Sequence, residues 1–300
     1  VVMDINKEIA YKASDADRMI YRVLPTEKGY QKTVFQAMNY SILAGGKRIR
    51  PILMLETYKL FGGSTKAIES FVAAIELIHT YSLVHDDLPA MDNDELRRGK
   101  LTTHAKYGEA MGILAGDGLL NYAFEVALGS LDETEGADNR AVIRALKVLA
   151  QKAGVYGMIG GQVVDVESEK QYGISKNRLD FIYQLKTGAL IEASMMIGAI
   201  LGGATEEEEK RIEEVASKIG LAFQIQDDVL DVTGETETLG KTVGSDEKNQ
   251  KVTYVVFEGL EKAKQEVVDL TNEAVGILQD LPYENPFLTE LLRWMVLREK

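Results

Sequence analysis

Apolar residues recur at helical spacing along most of the chain. Ile68, Val72, Ile75, Leu77, Ile78 and Val84 keep one side of a long segment apolar up to His85 and Asp86. Residues 178–201 and 205–231 predict two more long helices, and 107–129, 141–153, 251–279 and 286–298 carry the same period. The helix at 205 opens with a capping-box signature, Thr205 followed three residues later by Glu208, and an acidic first turn from Glu206 to Glu209. Gly62-Gly63, Gly202-Gly203 and Leu281-Pro282 read as breaks. No segment alternates with period two, so no sheet is expected. Thr233 to Gln250 is the longest polar stretch, with Gly234, Gly240 and Gly244, and long loops in compact domains are often functional. With 5 prolines in 300 residues and no linker or shift in composition, the expectation is an all-α protein forming one domain over 1–300.

Composition narrows the chemistry. There is no cysteine, which excludes disulfides, a thiolate zinc site and a cysteine nucleophile. The net charge of −13 argues against nucleic acid as a partner, and it means that an anionic substrate needs a local cationic pocket or a metal. No signal peptide pattern is visible. The most apolar stretch, Ala189 to Ala204, is interrupted by Glu192 and is shorter than the ~20 residues that cross a bilayer. A soluble cytoplasmic protein without stable membrane insertion is expected.

Two aspartate clusters are the strongest chemical signal. The first is Asp86-Asp87-Leu88-Pro89-Ala90-Met91-Asp92, followed by Asn93, Asp94 and Glu95; the second is Asp227-Asp228-Val229-Leu230-Asp231. One such pattern is suggestive, but two, each ending an apolar helical run, are hard to assign to chance. Asp227 and Asp231 stand i, i+4 on one helix face, a destabilising pair unless something neutralises it. Oxygen ligands without cysteine suit Mg²⁺ bound together with phosphate oxygens. Pro89 interrupts the first helix, which would let Asp86 and Asp92 converge around a turn. The bland alternative is two solvated acidic helix ends.

Cations lie near both clusters. Lys47, Arg48 and Arg50 follow Gly45-Gly46, Arg97-Arg98-Gly99-Lys100 follows the first aspartates, and Lys186, Lys241 and Lys251 lie in or beside polar segments near the second. In so acidic a chain this suggests phosphate recognition, arginine through forked bonds and lysine as a point charge. The glycine pair alone is weak, because it is not a Walker loop.

Five ordered blocks, GGKRIRP at 45–51, HTYSLVHDDLPAMDNDELRRGK at 79–100, QLKTGAL at 184–190, FQIQDDVLD at 223–231 and GKTVGSDEKNQKVTYV at 240–255, resemble those of the trans-isoprenyl diphosphate synthases, or polyprenyl synthetases. The resemblance runs from about residue 30 to the end. It implies an all-helical bundle around a deep central cavity, usually a homodimer, with the two aspartate motifs facing each other and holding Mg²⁺, about three ions per site, on an allylic diphosphate. By position it makes Asp86, Asp92 and Asp227 direct ligands, with Asp87, Asp228 and Asp231 acting directly or through water. It assigns Arg97, Lys186 and Lys241 to the allylic diphosphate, with Lys251 as a weaker addition. Lys47, Arg50, His79 and Arg98 match the isopentenyl diphosphate pocket, and Thr187 and Gln224 match positions near the developing carbocation. His79 read on its own could equally be a core histidine; His85 reads as a support to Asp86, and His104 is unassigned.

The implied reaction is physically consistent. Breaking the carbon–oxygen bond concentrates negative charge on the diphosphate, where metal and arginine stabilise it. The allylic cation survives only in a dry apolar cavity. The departing diphosphate can take the last proton, so no strong side-chain base is required. Tyr81 lies five residues before Asp86, ~7.5 Å along a helix axis, and Ser82 lies four before it, on the face of Asp86. An aromatic at this position resembles bacterial farnesyl diphosphate synthases and implies a fifteen-carbon product, with geranylgeranyl diphosphate as the alternative. Leu101 stands where relatives often have proline. A terpene cyclase would usually lack the second DDxxD and the 45–50 block, an HD-type phosphohydrolase needs more histidines than the 3 here, and an inactive partner subunit would be expected to have lost aspartates.

Overall fold

In the computed structural model the described residues are 2–171, 173–234 and 252–297. Their regular secondary structure is almost wholly helical. The chain divides into two compact units, Val1–Leu55 with Ser64–Leu146, and Glu56–Gly63 with Lys147–Lys300.

The first unit is built on α4 (Ala67–Asp86), whose Phe71, Ile75, Leu77 and Ile78 have no exposed surface. Burial of such side chains supplies about 1.5–3 kcal/mol each. α4 packs against α6 (Glu109–Gly129) and α1 (Ile5–Arg22), and α6 packs in turn on α2 (Lys32–Leu43) and α5 (Thr103–Tyr107). Helices α1, α2 and α3 (Ile49–Leu60) precede the segments that the apolar pattern singles out. The expected helix 107–129 is broken: Gly108 takes φ +93, which separates α5 from α6. Between α4 and α5 a two-residue ribbon pairs β1 (Leu96–Arg97) with β2 (Lys100–Leu101). Strands this short leave no period-two signal, which is why the sequence pattern shows no sheet.

The second unit centres on α11 (Glu206–Thr233), packed between α10 (Gly188–Gly202) and α13 (Leu260–Gln279), with α14 (Pro286–Leu297) across α11 and α13. The capping box forms as expected: Thr205 Oγ1 accepts from the Glu208 N–H at 3.2 Å and the Glu208 carboxylate accepts from the Thr205 N–H at 2.9 Å. α7 (Gly136–Ala153) begins before the expected 141, and α8 (Met158–Ser168) follows it. The expected helix 178–201 is α9 (Lys176–Ile182), a π-helical turn Tyr183–Thr187 and α10. The expected 251–279 is α12 (Tyr254–Glu258) and α13, separated at Gly259, φ +80. By length and hydropathy, α4 and the run Lys176–Gly202 could each cross a membrane, but 72% of each apolar window is buried inside the protein and serves as core.

Candidate active site

Both aspartate clusters stand at the carboxyl ends of long helices: Asp86 is the last residue of α4, and Asp231 lies two before the end of α11. Negative charge is unfavourable there because the helix dipole already places partial negative charge at that end.

In the first unit the chain folds back at Pro89. Asp92 N donates to Asp86 O at 2.8 Å, Asn93 N to Leu88 O at 3.0 Å and Asp94 N to Asp87 O at 3.1 Å. The expected convergence of Asp86 and Asp92 is therefore present in the backbone, with Asp86 half-buried and Asp92 exposed. Asp87 is different. Its buried carboxylate accepts two bonds from Arg97, at 2.9 Å to Nε and 2.8 Å to Nη2, a bidentate pair. That bond outweighs burial and raises the Arg97 pKa.

His79, Arg97 and Arg98 line one cavity of about 50 Å³ in this unit. Arg50 Nη1 lies 3.4 Å from His79 Nε2, and Arg50 Nε is buried without a hydrogen-bond partner. Burial lowers the His79 pKa well below 6.5, and Arg50, Arg98, Arg97 and Arg48 lower it further. A neutral imidazole with its Nε2 toward Arg50 carries its proton on Nδ1. The arrangement is an excess of cationic donors around an uncharged ring, which is chemistry for an anion.

The basic run at 47–50 does not form one patch. Lys47 is exposed, whereas Arg48 is buried, at φ +54, bonding Asp17 at 2.7 Å, Glu76 at 2.8 Å and Ile42 O at 2.8 Å. Burial pushes its guanidinium down, and Glu76 and Asp17 more than reverse that, leaving its pKa above that of an ordinary arginine. Arg48 is structural, and alternation of direction along the chain separates it from its neighbours.

The second unit places Lys186 and Thr187 in the π-helical turn, a feature frequent at functional sites. Gln224 Nε2 donates to Thr187 Oγ1 at 3.1 Å, so these two expected residues meet. Lys186 Nζ donates to Asp165 of α8 at 2.5 Å. Asp228 is buried and accepts from the Tyr183 hydroxyl at 2.5 Å and the Tyr254 N–H at 3.0 Å, tying the turn and α12 to α11. Asp227 is half-buried and Asp231 buried. Lys241 and Lys251 lie outside the described residues.

Asp165, Tyr183 and Gly161 are not among the residues that the sequence pattern singles out, although Gly160-Gly161 with Asp165 one helical turn on is a usable signal. A Cβ on Gly161 would stand 2.3 Å from Lys186 N and 2.8 Å from Leu185 C. Backbone atoms cannot yield as a flexible side chain would. Gly161→Ala is therefore expected to destabilise the protein by about 1–3 kcal/mol and to displace Lys186; thermal melting and steady-state kinetics on the variant check both.

Among the described residues no three carboxylate or imidazole groups gather at metal-ligand spacing. All-oxygen donors spread in ones and twos fit a cation that takes few carboxylates and completes its shell with phosphate oxygens and water, which is the habit of Mg²⁺.

Comparison with known proteins agrees with this chemistry. A dimethylallyltranstransferase of Fischerella ambigua is 48% identical over 246 residues, 82% of this chain and 70% of its own length. A farnesyl diphosphate synthase of Geobacillus stearothermophilus is 47% identical over 232 residues, 77% of each chain. A chloroplastic geranylgeranyl pyrophosphate synthase of Capsicum annuum is 47% identical over 241 residues, 80% of this chain and 64% of its own. The crystal structure of an FPP/GFPP synthase from Zymomonas mobilis superposes with a TM-score of 0.85 at 34% identity, covering 98% of this chain and 99% of that one. The polyprenyl synthetase profile matches residues 31–280, and the chain belongs to the polyprenyl synthetase family.

Proposed function

We propose that this trans-prenyltransferase joins isopentenyl diphosphate to dimethylallyl or geranyl diphosphate and stops at farnesyl diphosphate. Relatives named for farnesyl and for geranylgeranyl products are similarly close, so identity does not choose the product. The observation that carries the choice is Tyr81. Its side chain is buried, five residues before Asp86 on α4, and its ring meets the His85 ring edge-on at 5.6 Å between centroids and 85° between planes. His85 is itself fixed: Nε2 lies 2.9 Å from Ile113 O, and a Cβ on Gly116 would stand 2.0 Å from it. Burial, and then Asp86, push the Tyr81 phenol up to about 12, so the ring is uncharged. An immobile neutral ring is a suitable floor for a growing hydrocarbon. Ser82 donates to His79 O at 2.6 Å and adds no bulk.

Asp86, Asp92 and Asp227 would hold Mg²⁺, with Asp231 in support. When bound, the metal neutralises the charge that develops on the diphosphate. Arg97, oriented by Asp87, and Lys186, held by Asp165, bind the allylic diphosphate, joined by Lys241 and Lys251. Lys47, Arg50, His79 and Arg98 bind isopentenyl diphosphate. Gln224 holds the Thr187 hydroxyl oxygen where it can face positive charge. Asp228 serves as the anchor of the turn. The family resemblance also supports a homodimer.

Chromatography of products made from labelled isopentenyl diphosphate tests the reading. The wild type is expected to give fifteen carbons and Tyr81→Ala to give twenty or more. A wild type yielding twenty overturns the product, a Tyr81→Ala product still of fifteen removes the floor, and absence of any condensation overturns the reaction.

A further inference from the structure

We propose that Tyr40 and Ser41 of α2 are positioning residues for isopentenyl diphosphate, clasping the ribbon that presents Arg98. The inference rests on the proposed function, and it adds two residues that lie outside every block carrying the family resemblance.

The ribbon needs an external hold. Each strand has two residues, paired Leu96 with Leu101 and Arg97 with Lys100, and an isolated hairpin is marginal in water even when longer. Its turn residues Arg98 and Gly99 both take positive φ, +51 and +76. Glycine does so freely, but for arginine that φ is strained. A strained conformation of this kind persists only where its surroundings over-determine it.

α2 supplies that hold. The Tyr40 hydroxyl donates to Leu101 O at 2.7 Å, at the ribbon's end. Ser41 Oγ and Thr103 Oγ1 share a hydrogen bond of 2.7 Å just beyond it. The Arg98 guanidinium donates to Gly45 O, two residues after α2. The Tyr40 ring is fixed in turn, with Lys106 Nζ 4.1 Å over its face and the Tyr107 ring edge-on at 5.6 Å. Tyr40 also lines the cavity shared by His79, Arg97 and Arg98.

The two ribbon arginines depend on the clasp unequally. Arg97 is independently held by the Asp87 fork. Arg98 is exposed, strained and bonded to a backbone carbonyl, so its placement follows the ribbon. Loosening the clasp therefore weakens binding through Arg98 and spares binding through Arg97.

The test is Tyr40→Phe, which removes one hydroxyl and keeps the ring, with Ser41→Ala as an independent second cut. Loss of one hydrogen bond predicts a rise of about three- to tenfold in KM for isopentenyl diphosphate. KM for the allylic diphosphate and kcat should stay within about twofold. Calorimetric titration with isopentenyl diphosphate alone should weaken by the same factor. Unchanged affinity in both variants overturns the clasp, as does a parallel change in both KM values and kcat, which marks general loosening. A wild type that binds isopentenyl diphosphate without condensing it overturns the proposed function and leaves the affinity ratio to decide the clasp. A wild type that does not bind it overturns both.

Discussion

Replacing Arg48 with methionine is expected to lower stability by about 3–5 kcal/mol, because it strands a buried carboxylate. The Arg48 side chain is 1% exposed and its partner Glu76 is 5% exposed, 2.8 Å away. Methionine fills similar space, so the loss reads the unpaired charge of Glu76 more than a cavity. Ile42 O loses a donor as well. A drop of roughly 10 °C in melting temperature follows for a chain of this size. Arg48→Lys keeps the charge without the fork and should fall between the two. The double variant Arg48→Met, Glu76→Gln removes the stranded charge and should recover part of the loss; if it recovers none, the ion pair is not what Arg48 contributes.

Asp86→Asn should have the opposite signature. Under the proposed function it removes a metal-holding carboxylate, and kcat is expected to fall at least about 10²- to 10³-fold. Stability should hold or rise by up to about 1 kcal/mol, since a negative charge leaves the carboxyl end of α4. The pairing of lost turnover with an unchanged or higher melting temperature separates a functional acid from a structural one. A variant that loses stability and activity together would show that Asp86 holds the turn at Pro89 instead. Raising Mg²⁺ should restore part of the turnover at a higher midpoint, which a misfolded variant would not allow.

Asp87 and Asp228 show why neighbouring residues of one motif need separate treatment. Both adjoin proposed metal ligands, yet Asp87 is taken up by Arg97 and Asp228 by Tyr183 and Tyr254. Helical rotation of about 100° per residue turns adjacent side chains to different surroundings. Under the proposed function, one motif contains both groups offered to substrate and groups that hold the backbone supporting them.

The residue pattern by itself determined the helical class, the carboxyl ends of the long helices it singled out, the Thr205 cap and the position of both acidic clusters at helix termini. These follow from short-range rules of period, capping and glycine placement, which the chain carries locally. Only the tertiary structure decided that Arg48 turns inward, that a π-helical turn holds Lys186 and Thr187, that Gly161 admits that turn, and that α2 holds the Arg97–Arg98 ribbon. Each depends on a partner between 21 and 62 residues away in sequence. Which partner a polar group meets is set by how the helices pack, and no local period encodes that.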